Sequence, residues 1–433
     1  MKSIFVIIWS VLWLGPLQGY TYLEGMFLGD PFLSLDSRSL GMGGTSLGFH
    51  SAPASIRNNP GNIGLAKKIT VQVNGEIFLH SEKILNITGS GSELKYSDQN
   101  INSGQYLNLS SAGLVLPVLD VFCVGLDYHQ PFDFQYENTT YQYKSANQRS
   151  GLYDLSQTGS LRSFSLALAC HYKEVISVGA AFNLLSGSLK GRNRLYSYPD
   201  RKSLLTDQEN KTSLDGANMN IGVNTGITRN LHAGAFFQTG YKMTFKTDSR
   251  DLILGSRTKD EYYILYPKRY GIGLAYKVLT GHDALVALDF IFTPWDQDAK
   301  YKDLAAAGAK EQKLDTISPY QYLTDTYELH LGAEHLLILV PKVLRLPIRY
   351  GLMWVPSYLN DRIEMAVFTL GFGLDGTYLF GLDTRLDISL GLGKRNFIGI
   401  YGKEPYDSDV PLDLKQRIDE SIQLINVSFM IEF

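Results

Sequence analysis

Residues 163–187 read SFSLALACHYKEVISVGAAFNLLSG, and this stretch decides the fold. Every second residue from Phe164 to Tyr172 is apolar or aromatic, while the residues between them are small or polar. Such alternation places one set of side chains on each face of a β-strand. Lys173-Glu174 interrupts the pattern, and a second alternating run follows at once. The stretch therefore predicts two antiparallel strands, 161–172 and 175–188, joined by a two-residue turn.

The same pattern recurs along the chain with a regular rhythm of connections. The connections after odd-numbered strands span about 10 to 32 residues, and those after even-numbered strands span about 2 to 5. One short connection, Asp375-Gly376, is a strong signal for a two-residue hairpin. We predict fourteen strands: 69–80, 105–118, 121–135, 161–172, 175–188, 216–228, 231–246, 261–277, 283–293, 326–338, 343–355, 366–374, 377–390 and 421–433.

This rhythm distinguishes two all-β architectures. A soluble sandwich also alternates, but nothing requires its connections to be long at one end and short at the other. In a transmembrane β-barrel the two rims face different compartments, and only the outer rim carries long loops. The sequence therefore predicts an antiparallel transmembrane β-barrel of fourteen strands over residues 69–433, with lipid on its apolar face and a polar lumen.

The composition of the chain limits the kinds of partner that it is expected to bind. The 433 residues carry a net charge of -3, so no basic excess suggests nucleic acid. Charged residues are 19%, and the 27 tyrosines and 41 glycines suit a barrel's aromatic girdles and tight turns. The 2 cysteines, Cys123 and Cys170, are predicted to be unpaired thiols on the apolar face, although one disulfide is the alternative.

Two segments precede the first strand. Residues 1–19 read as a signal peptide, because Lys2 precedes a short apolar core that Pro16 ends. Residues 20–68 show no strand-length alternation and are rich in glycine, alanine, serine and asparagine. A lumen of fourteen strands is too wide for its own side chains to fill. We therefore expect residues 20–68 to fold into the lumen as a plug, called the hatch below; a disordered leader is the alternative.

The hatch sequence resembles a known family. Leu40-Gly41-Met42-Gly43-Gly44 and Asn58-Asn59-Pro60-Gly61 are similar to the hatch of the FadL family of outer-membrane transporters, and equally to PorV-type relatives. The family's hatch usually ends in Asn-Pro-Ala, whereas Gly61 follows Pro60 here. Residues 328–335, 346–351 and 369–374 resemble the family's C-terminal third, while about 81–320 matches only in layout. The predicted hatch residues are Gly41, Gly43, Gly44, Asn58, Asn59, Pro60 and Gly61.

The resemblance implies a route for hydrophobic molecules. In the FadL family they leave the lumen sideways, through an opening where an early strand kinks inward. Pro131 interrupts the predicted third strand, and proline removes a donor from the sheet. We expect a lateral gate at Pro131 and Phe132; the alternative is that the strand simply ends there. Capture at the outer rim and hatch rearrangement near Asn58–Gly61 would precede exit.

Charged residues on the polar face are the other candidates. They lie on the tenth, eleventh and thirteenth strands: Glu328, His330, Glu334, Arg345, Arg349, Asp383, Arg385 and Asp387. They could guide a ligand's carboxylate, since arginine binds carboxylates well. The alternative, which we favour, is that they pair with one another and anchor the hatch. The aromatic residues Tyr196, Tyr198, Tyr262, Tyr263, Tyr266 and Trp295 are expected in an interfacial girdle or in loops.

The last strand carries an expected assembly signal for the barrel assembly machinery, formed by Phe429, Ile431 and Phe433. No metal, cofactor or hydrolase motif is found, so an enzyme is not expected. The sequence predicts an outer-membrane channel that takes up small hydrophobic compounds such as long-chain fatty acids, in contact with outer-membrane lipid. The alternatives are a PorV-like barrel serving protein secretion or surface attachment, and a structural or adhesin barrel.

Overall fold

The computed structural model describes residues 28–31, 33, 35–49, 52–88, 95–145, 148–173, 175–197, 202–280, 282–304, 308–314, 323–341, 343–358, 364–379, 382–400 and 415–433. The predicted signal peptide, residues 1–19, and the first residues of the predicted hatch lie outside this set. No helix within the described ranges is long and apolar enough to cross a bilayer.

Fourteen antiparallel strands form a closed barrel, as predicted. The hairpin turn predicted at Asp375-Gly376 was wrong, because the strand Glu364–Leu379 continues through both residues. The first strand pairs with the last from Thr70↔Glu432 to Ile87↔Lys415, which closes the wall. The strands are β1 (Thr70–Thr88), β2 (Lys95–Leu119), β3 (Phe122–Asp133), β4 (Ser160–Tyr172), β5 (Ile176–Ser197), β6 (Leu204–Gly226), β7 (Leu231–Gln238), β8 (Arg269–Thr280), β9 (His282–Thr293), β10 (Thr326–Val340), β11 (Leu344–Pro356), β12 (Glu364–Leu379), β13 (Leu382–Ile400) and β14 (Lys415–Glu432).

The two faces of the wall have the predicted character. In β4, Leu166 and Leu168 are 52% and 60% exposed, whereas Ala167 and Ala169 are 0% and 3% exposed. The exposed set forms an apolar outer surface that suits lipid. Cys170 lies on this outer face, but Cys123 points inward and is buried, so the prediction for Cys123 was wrong. Both thiols are free.

Two predicted strands are interrupted. The predicted strand 231–246 stops at Gln238 and resumes as a separate strand, Tyr241–Asp251. The predicted strand 261–277 is likewise divided into Arg257–Tyr266 and β8. Pro267 lies in the second gap, and proline cannot donate to a sheet ladder. The facing pairs Gln238↔Arg269 and Tyr241↔Tyr266 show that both breaks fall at the same level of the wall.

Several strands continue the wall into an outer sheet at the rim of long loops. The hairpin Tyr136–Ser145 and Gln148–Thr158 pairs with the upper part of β5. The hairpin Tyr241–Asp251 and Arg257–Tyr266 pairs with the upper part of β6, and Lys300–Asp303 extends this sheet by one strand. A short helix, Trp295–Asp298, follows β9.

The hatch lies inside the barrel. It contains a helix at Ser37–Gly41 and two 3-10 helices at Pro53–Arg57 and Pro60–Leu65. Its apolar side chains are fully buried against inward-facing residues of the wall: Leu40, Met42, Leu47, Ile56 and Ile63. The lumen at this level is therefore filled.

Candidate functional site

The first half of the hatch is seated by a tight turn against β10, β11 and β12. Gly43 and Gly44 adopt φ values of +64° and +80°, a conformation that glycine adopts without strain. The amide of Gly43 donates to Oγ1 of Thr369 at 3.0 Å. A side chain on Gly44 would meet Nδ1 of His330 at 2.7 Å. The predicted glycines therefore allow the hatch backbone to lie directly on the wall.

The second half is seated on β5, β6 and β7 through Asn59. Its side-chain amide donates to the carbonyl oxygens of Leu47 at 3.0 Å and Val223 at 2.9 Å. Its side-chain oxygen accepts from the amide of Gly61 at 3.1 Å. A Cβ atom on Gly61 would lie 2.8 Å from the carbonyl oxygen of Gly222, so two backbones meet here. The segment Asn58–Gly61 is thus held by hydrogen bonds and by close packing.

Four of the predicted lumen charges form one buried cluster with Arg38 of the hatch. Arg349 is 0% exposed; its Nε donates to Glu334 at 2.6 Å and its Nη1 to Asp387 at 2.7 Å. Arg38 donates two hydrogen bonds to the same Glu334, at 2.7 and 3.1 Å. Nε of Arg385 lies 3.0 Å from Oδ2 of Asp387. Hatch and wall are therefore joined through a shared network of opposite charges.

The other predicted charges lie elsewhere. Arg345 pairs with Asp375 of the neighbouring strand at 2.7 Å and does not contact the hatch in any described hydrogen bond. Asp383 pairs with Lys68, where the hatch joins the wall. Glu328 lies 3.7 Å from Arg269 and 3.5 Å from His330, higher in the lumen.

A cavity of about 160 Å³ lies in the lumen beside the hatch. Six of the predicted site residues line it: Gly44, Asn58, Pro131, Phe132, Glu328 and His330. Its apolar lining consists of Pro31, Leu33, Leu35, Leu185, Tyr241, Tyr266, Pro267, Ile291, Trp295, Val355, Pro356 and Tyr358. Its remaining polar lining consists of Arg57, His129, Gln130, Ser163, Asn183, Asn218, Asn220, Gln238, Arg269, Thr293 and Thr326.

Aromatic side chains pack around the apolar part of the cavity. The rings of Trp295 and Tyr358 stack with centroids 4.5 Å apart, and those of Tyr241 and Tyr266 are 5.0 Å apart. The Tyr266 hydroxyl donates to the carbonyl oxygen of Leu28 at 2.8 Å. Burial, with smaller effects of the neighbouring tyrosines, raises the pKa of Tyr266 well above its usual value, so this donor stays protonated.

This aromatic group corrects the sequence prediction. Tyr263, Tyr266 and Trp295 are 7%, 2% and 7% exposed, so they are not part of an interfacial girdle, although Trp295 does lie in the long loop after β9. Tyr198 lies outside the described residues. Trp295 and Tyr266 belong to a buried cluster together with Leu28 and Phe134. Sequence reasoning missed their role because it assigned aromatic residues near a rim to lipid. A signal was present, since Pro267 beside Tyr266 already indicates a break in the wall.

The opposite part of the cavity is polar and incompletely hydrogen-bonded. Arg57 of the hatch is 8% exposed, and its Nε lies 3.4 Å from Oδ2 of Asp127. Its Nη2 has no hydrogen-bond partner among the described residues. The same holds there for Oε1 of Gln130 and Oδ1 of Asn220. Buried polar atoms of this kind favour a ligand or water that can pair with them.

The pairing of the third strand is irregular at Pro131, the residue singled out by sequence. The pairing between β2 and β3 reaches Ser111↔His129 and has no described partner pair beyond it. Toward β4, Gln130 and Pro131 are skipped between His129↔Ser163 and Phe132↔Leu161. On its other side, Phe132 pairs with Pro31 of the hatch segment. Beyond His129, β3 therefore pairs with β4 and with the hatch segment, and has no described pairing with β2.

The predicted assembly residues lie at the end of β14. Phe429 and Phe433 are 45% and 57% exposed on the outer face, and Ile431 is half-buried. The amide of Phe433 donates to the carbonyl oxygen of Ile69 at 2.9 Å. Their role in assembly stays a prediction.

Comparison with solved structures identifies the fold. A FadL homologue of Pseudomonas aeruginosa superimposes with a TM-score of 0.64 at 13% identity, covering 94% of this chain and 100% of that one. The toluene transporter TodX of Pseudomonas putida gives 0.62 at 15% identity, covering 91% and 97%. The toluene transporter TbuX of Ralstonia pickettii gives 0.58 at 13%, covering 93% and 99%. No family model and no curated protein matches the sequence. The chain therefore has the FadL-type barrel fold, as the resemblance implied.

Proposed function

We propose that this protein is an outer-membrane channel for the uptake of small hydrophobic compounds. The proposal rests on the cavity in the lumen. Aromatic side chains line one part of this cavity, and Pro131, where the pairing of β3 is irregular, lines another. The solved structures that share the fold include toluene transporters, which agrees with such cargo. No chemical conversion is part of the proposal, because uptake requires only binding and passage.

The proposed route runs from the rim of long loops into the cavity and then sideways. Tyr266, Trp295 and Tyr358 would receive the apolar body of the compound. Exit would follow the wall at Pro131 and Phe132, where β3 no longer pairs with β2. A passage straight down would have to displace the hatch, which the Asn59 hydrogen bonds and the Arg349 cluster oppose. Any hatch rearrangement near Asn58–Gly61 would therefore be local and would serve the sideways route.

The cavity favours small cargo. An apolar cavity of about 150 Å³ in a protein can hold one benzene ring. The cavity of about 160 Å³ found here is of that size. A long-chain fatty acid, the finer substrate that the resemblance implies, could place only part of its chain there. Its carboxylate would then pair with Arg57, whose Nη2 is free of described hydrogen bonds.

The test is ligand binding by the full-length protein purified in mild detergent. Extracted ligands are identified by mass spectrometry, and binding of labelled toluene and labelled oleate is measured alongside. Saturable binding of either supports the proposal, and the ratio of the two affinities identifies the cargo class. A barrel that holds no apolar molecule and binds neither probe would contradict uptake and would favour the secretion or attachment role.

A further inference from the structure

Buried amide side chains line one side of the cavity in the lumen. Gln130 of β3 is 9% exposed, and Asn183 of β5 and Asn220 of β6 are 3% and 2% exposed. All three line the cavity, together with Arg57 of the hatch. Within the described part of the chain, no donor reaches Oε1 of Gln130 or Oδ1 of either asparagine. The cavity is therefore bordered by three buried acceptor oxygens that are not hydrogen-bonded.

The hydrogen bonds of the asparagines fix which of their atoms is unpaired. Nδ2 of Asn220 donates to the backbone carbonyl oxygen of Arg57 at 2.6 Å. Because a backbone carbonyl can only accept, the amide group of Asn220 must present its nitrogen there. Nδ2 of Asn183 likewise donates to Oδ1 of Asn218. The unpaired atom of each residue is therefore its oxygen, which needs a donor.

Arg57 adds one unpaired donor to this side of the cavity. Its Nη2 has no hydrogen-bond partner among the described residues. Its charge is opposed by Asp127, whose Oδ2 lies 3.4 Å from Nε. A buried polar atom without a partner is unfavourable, so a compound that pairs with these atoms is preferred over one that does not. The polar side of the cavity thus offers more acceptors than donors to a ligand.

This balance of donors and acceptors distinguishes between headgroups. A hydrocarbon ring such as toluene leaves every one of these atoms unpaired. A carboxylate can accept from Nη2 of Arg57, but it carries no proton for the amide oxygens. An ammonium group could donate to the oxygens, but it would lie beside the guanidinium group, which has the same charge. A hydroxyl group donates one hydrogen bond and accepts others, so it can pair with an amide oxygen and with Arg57 together.

The opposite side of the cavity suits the ring that would carry the hydroxyl group. Tyr241, Tyr266, Trp295 and Tyr358 line it, and their rings stack in two pairs. The volume of about 160 Å³ is enough for one benzene ring. A single ring with one polar substituent would therefore contact both sides of the cavity at once.

We propose that the cargo is a small aromatic compound that bears a hydroxyl group, such as a phenol or a benzyl alcohol. Gln130, Asn183 and Asn220 select it by accepting the hydroxyl proton. The inference rests on the proposed uptake of small hydrophobic compounds and narrows its substrate class. A site built to hydrogen-bond a hydroxyl group discriminates strongly against the analogue that lacks it, because the polar groups of the site are then left unpaired.

The test measures the affinities of three probes of similar shape for the full-length protein in mild detergent, by isothermal titration calorimetry. The probes are p-cresol, p-fluorotoluene and toluene. Fluorine takes the place of the hydroxyl group in p-fluorotoluene but cannot donate a proton. We expect wild type to bind p-cresol about tenfold more tightly than either of the other two probes, because only p-cresol pairs with the amide oxygens.

Two variants remove acceptors from different strands. Gln130→Met nearly keeps the length of the side chain and removes its amide group, and Asn220→Leu does the same on β6. Each is expected to reduce the preference for p-cresol about fivefold and to leave toluene affinity at or above the wild-type value. The control Gln423→Met makes the same exchange at an exposed position outside the cavity lining, so its preference should equal that of wild type.

Equal affinities of wild type for p-cresol and p-fluorotoluene would show that water pairs with these amides in place of cargo, and would overturn the inference. An unchanged preference in Gln130→Met and in Asn220→Leu would also overturn it. Heat-modifiable migration in electrophoresis checks that each variant forms a folded barrel. If Asn220→Leu, which also loses its bond to Arg57, does not fold, Gln130→Met decides the question.

Toluene separates this inference from the proposed function on which it rests. If wild type binds toluene but shows no preference for p-cresol, only the selection of a hydroxyl group is refuted. If wild type binds none of the three probes, the proposed uptake of small hydrophobic compounds is contradicted as well.

Discussion

Arg349 donates from its Nε to Oε2 of Glu334 at 2.6 Å, and the arginine side chain is completely buried where hatch and wall meet. The same Glu334 binds Arg38 of the hatch. A single carboxylate therefore joins a wall arginine to a hatch arginine. Removing Arg349 would take from Glu334 and Asp387 the buried hydrogen-bond donor that they share.

Arg349→Ala is the sharpest test of this junction. Breaking a buried ion pair by removing one partner costs about 3 to 5 kcal/mol. We expect a lower thermal midpoint and a higher single-channel conductance in planar bilayers, because Glu334 and Asp387 would lose the buried donor that links them and the hatch would be held less firmly.

Arg345→Ala is the matched control, since Arg345 pairs with Asp375 and its side chain is 41% exposed. An exposed ion pair contributes about 1 kcal/mol or less to the free energy of unfolding. Because Arg345 does not contact the hatch in any described hydrogen bond, conductance should stay at the wild-type value. Equal conductance in Arg349→Ala and Arg345→Ala would show that the buried cluster does not hold the hatch.

Gly222→Ala tests the close packing between hatch and wall. A Cβ there would lie 2.8 Å from Cδ of Pro60 and 3.0 Å from Cα of Asn59. Relieving these contacts would require a shift of the hatch backbone. Overpacking typically costs about 1 to 3 kcal/mol. We expect a destabilised hatch, measured as faster proteolysis within residues 52–68 in detergent.

Gly226→Ala in the same strand is the control, because its nearest atoms would be 3.7 Å away. Proteolysis of this variant should match wild type. If Gly222→Ala were cut no faster than Gly226→Ala, the hatch would not depend on backbone contact with β6.

The sequence predicted the wall well and the lumen poorly, for a physical reason. Lipid imposes a strict alternation on β4 and β13, so the faces of Leu166, Leu168 and Asp387 could be assigned from pattern alone. Above the lipid no such requirement exists, and the side chain of Tyr266 is buried at the end of its strand, just before the break at Pro267. Which glycines receive the hatch depends on contacts between residues as far apart as Asn59 and Gly222, and local patterns do not encode those contacts.

Two smaller errors have local causes. Cys123 lies an even number of positions from Asp127 and His129 in β3, so all three side chains are on the same face. Those two polar residues already indicated that Cys123 faces the lumen. The predicted lumen charges were treated as one set, whereas the register places Arg345 beside Asp375 and Arg349 beside Gly371. Only the second arginine therefore reaches the hatch.

Arg57→Gln tests whether the polar part of the cavity selects a ligand's headgroup. We expect at least tenfold weaker binding of a small aromatic carboxylate such as phenylacetate, because the guanidinium that would pair with the carboxylate is lost. Toluene binding should not change. Arg345→Gln removes an arginine outside the cavity lining and should alter neither affinity. If Arg57→Gln weakened the binding of phenylacetate and of toluene equally, the variant would have a damaged cavity, and the result would not support headgroup selection.

Pro131→Val tests the sideways route. Valine restores a backbone donor and favours extended pairing, so β3 could continue along β2 past His129 and close the gap. We expect uptake of labelled toluene by cells to fall several-fold, while binding to the purified protein is retained, because the cavity remains but its exit is narrowed. Pro117→Val is the control: Pro117 also lies in a wall strand, opposite Cys123, and outside the cavity lining. Unchanged uptake in a folded Pro131→Val barrel would rule out exit at this break and would direct attention to the second break, at Thr239-Gly240 and Pro267-Lys268, where β7 and β8 lose their pairing at a common level.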